Sequence, residues 1–71
     1  MSENKAKICR MLLPVLQETR GLYDLRYLEY VDYHNGEEEV IATFNNGYRK
    51  RVNVSMDSGT AMIRDIMNRL G

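Results

Sequence analysis

The sequence has little from which to build covalent or metal cross-links. It holds one cysteine, Cys9, and one histidine, His34. A single thiol excludes an intramolecular disulfide, and one Cys with one His does not make a zinc site. It also lacks a charge bias: ten basic and ten acidic residues give a formal net charge of zero. That balance argues against a broad electrostatic grip on nucleic acid or an anionic membrane. Long hydrophobic runs are absent too. The longest, Met11 to Leu16, is six residues and contains Pro14, the only proline. Neither a membrane span nor a secretory signal fits that run or the polar start Met1-Ser2-Glu3-Asn4-Lys5-Ala6-Lys7. With a lone thiol and no export signature, the expected compartment is the cytoplasm. No repeat, low-complexity stretch or Pro/Gly-rich linker divides the chain, so residues 1–71 are expected to form one domain.

A chain of 71 residues buries only about 60% of the surface its unfolded form exposes, which makes the core marginal. With disulfide and metal excluded, stability must come from efficient packing or from self-association. The apolar content, 44%, suits a folded domain.

The apolar residues that are present fall into two periods. Ile8, Met11, Leu12, Val15 and Leu16 recur at spacings of three and four, which predicts a helix over about Asn4 to Arg20 with Gly21 as its left-handed cap. Pro14 removes one backbone hydrogen bond, but the stripe stays in phase across it, so a single kinked helix is expected. Met62, Ile63, Ile66, Met67 and Leu70 predict a second helix over about Ser58 to Leu70, with Asp57 or Ser58 capping its first N–H groups. Between the helices, Asn35-Gly36 and Asn46-Gly47 mark two hairpins. The strands run about Leu25 to Tyr33, Glu38 to Phe44 and Tyr48 to Val54.

Loop length sets the register, because a slip of one residue turns every side chain to the other face. A two-residue Asn46-Gly47 turn would place Ala42 opposite Arg51. A three-residue loop, Asn45-Asn46-Gly47, instead pairs Phe44 with Tyr48 and Val40 with Val52, and a His34-Asn35-Gly36 loop pairs Tyr30 with Val40. The three-residue loops match apolar with apolar. The expected fold is therefore α+β, ordered α-β-β-β-α: a three-stranded antiparallel meander with two helices packed on one face. Leu28, Tyr30, Val40, Ala42, Phe44, Val52 and Val54 should form the covered face, with Phe44 beneath both helices.

Candidate chemistry is sparse. Asp57-Ser58-Gly59-Thr60 resembles the Asp-Ser/Thr-Gly loop of aspartic proteases, in which one carboxylate from each half shares a proton. The helical periodicity that follows it favours a helix cap instead. The same residues could offer N–H groups to a phosphate, but Asp57 would repel it, and no GxxxxGK[ST] pattern is present. His34 reads as a solvated turn residue and Cys9 as a buried, inert thiol. Glu37-Glu38-Glu39 and Arg49-Lys50-Arg51 lie on adjacent strands, where they can pair across the sheet; the alternative is a basic stripe for an acidic partner. No nucleophile–base pair, metal set or cofactor motif stands out, and no enzymatic activity is expected.

The open face is the least ordinary feature. Tyr27, Glu29, Val31, Tyr33, Ile41, Arg49 and Arg51 share it, where alternation toward polar residues is the norm. Tyr and Arg favour interfaces, whereas Tyr, Val and Ile also simply favour strands. The functional expectation is a small interaction module that binds a protein partner, or itself as a homodimer, through this face.

Two resemblances bear on that expectation. The stretches Ala42 to Tyr48, Val52-Asn53-Val54 and Asp57 to Ile66 resemble a group of short uncharacterised proteins encoded by phages and integrative elements of Gram-positive gut bacteria. The likeness covers about a third of the chain, carries no active-site motif, and implies a mobile-element context. The α-β-β-β-α order also resembles the double-stranded RNA-binding domain, in which a histidine-bearing loop joins the first two strands, as His34 does here. That family grips phosphates with lysines at the start of its second helix. This sequence has Met56-Asp57-Ser58-Gly59 there, so nucleic acid is the alternative partner and not the leading one.

Overall fold

Two helices lie on one face of a three-stranded antiparallel sheet in a computed structural model that describes residues 4–70. Met1-Ser2-Glu3 of the polar start lie outside the described residues. The order is α1 (Lys5–Arg20), β1 (Leu25–Asp32), β2 (Glu38–Phe44), β3 (Arg49–Asn53) and α2 (Gly59–Leu70), with β2 in the centre of the sheet.

Local chemistry accounts for the boundaries. The Asn4 side chain accepts from the Lys7 N–H at 3.0 Å, closing the start of α1, and Gly21 ends it in the left-handed conformation at φ 67°. A single helix runs through Pro14, which lies on its exposed side. Both hairpins have the expected three-residue loops. Tyr33 N–H donates to Glu37 across the first, and Phe44 N–H donates to Tyr48 across the second. Gly36 and Gly47 take positive φ values of 92° and 86°, a region that costs L side chains strain. Asn35 and Asn46 each accept a backbone N–H two residues on, the Asx turn that favours asparagine there.

The register follows. Leu28 lies opposite Ala42, Tyr30 opposite Val40, and Val40 opposite Val52. One irregularity departs from the alternation: Leu25 pairs with Phe44 and Tyr27 with Thr43, leaving Arg26 as an extra residue in a bulge. The bulge turns Leu25 to the covered face, where it is fully buried. Leu16 and Cys9 from α1, Met62 and Ile66 from α2, and Val40, Val52 and Val54 from the sheet region complete the centre of the core.

The helices sit differently from the simplest reading of their stripes. Cys9, Leu12 and Leu16 face the sheet, while Met11 and Val15 point outward, 63% and 45% exposed. Phe44 is only half-buried. It lies at the end of β2 beside the hairpin, its ring 5.8 Å from that of the exposed Tyr48, and the full burial expected of it belongs to Leu25 and Leu16. On α2 the cap is Ser58, whose hydroxyl accepts from the Ala61 N–H at 3.1 Å. Asp57 instead interacts with Asp65, eight residues further on in α2. Hydrogen bonding to Asp65, burial and the like charge of Asp65 raise the Asp57 carboxyl above its ordinary value. One Asp57 side-chain oxygen is buried with no hydrogen-bond partner.

Candidate interaction surface

Because side chains alternate along a strand, the residues not turned to the helices meet on the opposite face. The register arranges them in rows across the sheet. Tyr27, Thr43 and Arg49 form the first row; Glu29, Ile41 and Arg51 the second; Val31, Glu39 and Asn53 the third. Tyr33 follows beyond the third row and donates its hydroxyl to Glu39 at 2.6 Å. The seven side chains singled out from the sequence thus share one surface that neither helix covers. Tyr27 is 54% exposed; Glu29, Tyr33, Arg49 and Arg51 are also exposed, and Val31 and Ile41 are half-buried by their neighbours.

The electrostatics of this face are mixed. Arg51 lies 3.8 Å from Glu39, an exposed pair worth little by itself. The hydrogen bond from Tyr33 to Glu39 raises the phenol's pKa, chiefly because the ionised phenol would lose it. Glu29 and Arg49 have no charged partner among the described residues. The two charged triplets do not face each other as blocks. Arg51 lies opposite Ile41, Lys50 opposite Ala42, and Glu39 opposite Asn53, so Arg51 with Glu39 is the one ion pair between them. Alternation also sends Lys50 to the helix side, which leaves Arg49 and Arg51, and no three-residue stripe, on the open face.

Glu38 is the principal polar feature that the sequence reading missed. It is in phase with Val40 and Ala42, so its side chain enters the helix layer, where it is 15% exposed. One carboxylate oxygen accepts from Lys5 Nζ at 2.7 Å and also from the Tyr30 hydroxyl; the other accepts from the Met56 N–H at 2.9 Å. These donors, Lys5 first, hold the Glu38 carboxyl near 2, well below its ordinary 4.5. Burial and the same hydrogen bond push the Tyr30 phenol up. The cluster joins the start of α1, the sheet and the β3–α2 connection, where Met56 is held at a positive φ of 63°. It is a tie between elements.

A second apolar surface lies between the helices on their outer side. Ile8, Met11, Leu12, Val15 and Ile63 line a shallow groove there, with almost no polar atom in its walls. The stripe of α1 is wider than the sheet can cover, so part of it remains outside.

The other candidates are less productive. Cys9 is fully buried, and desolvation raises its thiol to about 11, which keeps it protonated and unreactive at neutral pH. His34 is exposed in its turn, 3.9 Å from Asp32. Among the described residues no group of three or more His, Cys, Asp or Glu is placed to hold a metal ion, and no helix is long and apolar enough to cross a membrane.

No family model matches the chain, and no curated protein or solved structure matches it.

Proposed function

We propose that the protein is a non-enzymatic interaction module that binds a protein surface through the open face of its sheet. The reading rests on one observation: Tyr27, Val31, Tyr33 and Ile41, flanked by Glu29, Arg49 and Arg51, lie together on a face that the helices leave uncovered. Large, stiff aromatic side chains bury much area at low entropic cost, and arginine adds directional hydrogen bonds. The lone thiol sealed in the core fits a reducing cytoplasm, and the resemblance to phage and integrative-element proteins would make the module part of a mobile element.

The α-β-β-β-α order also favours a second reading, a divergent double-stranded RNA binder. Against it stand the zero net charge and the opening of α2, Gly59-Thr60-Ala61-Met62, which offers no lysine to a phosphate.

Amide spectra of the labelled protein discriminate these readings. In concentrated cell extract, or with an added partner, the resonances that broaden should belong to Tyr27, Val31, Ile41 and Arg51. Titration with duplex RNA at low salt should leave the spectrum unchanged. A footprint on the groove lined by Met11, Val15 and Ile63, or on the His34 turn and the start of α2 with RNA, would refute the proposal.

A further inference from the structure

We infer that the occupant of the open face is a second copy of this chain, docked about a two-fold axis that runs along β2. The inference deepens the function proposed above and rests on it.

The pattern of charge across the middle row selects both the partner and the axis. Ile41 occupies the centre, Glu29 stands on one side of it and Arg51 on the other. Two strand spacings, about 10 Å, separate the two charges. An isologous interface places the same patch on both partners, so it must be complementary to itself. Turning a second copy over about an axis along β2 sets its β1 against β3 of the first. Glu29 then meets Arg51 of the other copy twice, Tyr27 meets Arg49 twice, and Ile41 meets Ile41 on the axis. The arginine over the tyrosine ring adds a cation–π contact. An axis across the strands does the reverse: it stacks Glu29 on Glu29 and Arg51 on Arg51. Two kinds of like-charge encounter remain in the favoured arrangement: Glu39 near its own copy, where the carboxylate is already held by the Tyr33 hydroxyl and Arg51, and Arg49 near Arg26 of the other copy, whose guanidinium lies 5.8 Å from the centre of the Tyr27 ring.

Three further features agree. A partner recognised by charge would call for a patch of one sign, whereas this face carries both signs on opposite sides. The zero net charge leaves no long-range repulsion between copies. The sheet edges discourage the competing strand-to-strand dimer: β3 is five residues long with three basic residues, and β1 carries the bulge at Arg26. Face-to-face sheets pack about 10 Å apart with strands crossing at about 30°, which centres the contact on the Ile41 row. Three strands by seven residues give a face on the order of 300–400 Å² in projection. A contact of that size is weak and reversible, so dimer should appear only as concentration rises.

Sedimentation of paired charge reversals tests this. The wild-type protein should pass from monomer to dimer between micromolar and millimolar concentration. Glu29→Arg alone and Arg51→Glu alone should each weaken the dimer on the order of a hundredfold, because each sets two like-charge pairs at the interface. An equimolar mixture of the two variants should dimerise like the wild type, since every pair across the axis is again opposite in sign. Both sites are exposed, and restored association in the mixture itself shows that both variants fold. Met11→Glu, in the groove between the helices, should leave the dimer unchanged. A monomeric wild type would overturn the inference while leaving the proposed function to the extract footprint. Single variants that still dimerise, a mixture no tighter than its components, or a dimer abolished by Met11→Glu would overturn it as well.

Discussion

Leu16→Ala is expected to lower the unfolding free energy by about 3 kcal/mol, while Phe44→Ala lowers it by only about 1–2 kcal/mol. Residue type alone would rank them the other way, because phenylalanine removes more apolar surface. Position decides. Leu16 is fully buried within the core, so its truncation leaves a cavity that the backbone closes only in part. Phe44 lies half-open at the end of β2 against Tyr48, and water can enter the space its ring vacates. A domain of this length has a total stability on the order of 5 kcal/mol, so Leu16→Ala should keep less than half of it and melt at a markedly lower temperature. Urea denaturation of the two variants checks the order; a larger loss for Phe44→Ala would contradict the core described here.

Glu38→Gln is expected to cost about 2 kcal/mol at neutral pH, with a cost that shrinks as the solution is acidified. Glutamine keeps the volume but loses the ion pair to Lys5, and its amide places a donor among donors. The pH dependence follows from the direction of the shift. Folding lowers the Glu38 carboxyl from its ordinary 4.5 to about 2, so between those values the unfolded chain binds more protons than the folded one. The stabilisation is therefore fully present above about pH 4.5 and is lost as the pH falls toward 2. Because the carboxylate keeps some contact with solvent, screening reduces the effect below what the full shift would give. Chemical denaturation of wild type and variant at pH values across that window should show the two converging. A difference independent of pH would mean that the Lys5–Glu38–Tyr30 cluster does not stabilise the fold through the charged carboxylate.

The strand register was legible because two constraints agreed. Gly36 and Gly47 supplied the positive φ that the two turns require, and only three-residue loops placed Val40 opposite Val52 and Tyr30 opposite Val40. The open face was legible for the same reason: once the register is known, Tyr27, Val31 and Ile41 have no other side to occupy. Three features resisted reading. The bulge at Arg26 leaves no mark in a run of alternating residues, so the burial of Leu25 was not legible. In α1 apolar residues cover too wide an arc, from Ile8 through Leu16, for periodicity to say which part meets the sheet. The structure turns Cys9, Leu12 and Leu16 inward and leaves Met11 and Val15 outside. Glu38 could have been suspected from its phase with Val40, but its counter-charge, Lys5, lies thirty-three residues away. Nothing local joins such a pair.

The central claim, that the sheet's open face is where this molecule associates, is tested most directly by dilution. Amide and methyl shifts of the labelled protein should be recorded from micromolar to millimolar concentration. Changes that saturate with concentration are expected at Tyr27, Glu29, Val31, Ile41, Arg49 and Arg51, with Met11, Val15 and Ile63 unmoved. Changes centred on the helix groove instead, or a spectrum that does not vary with concentration or in cell extract, would contradict it.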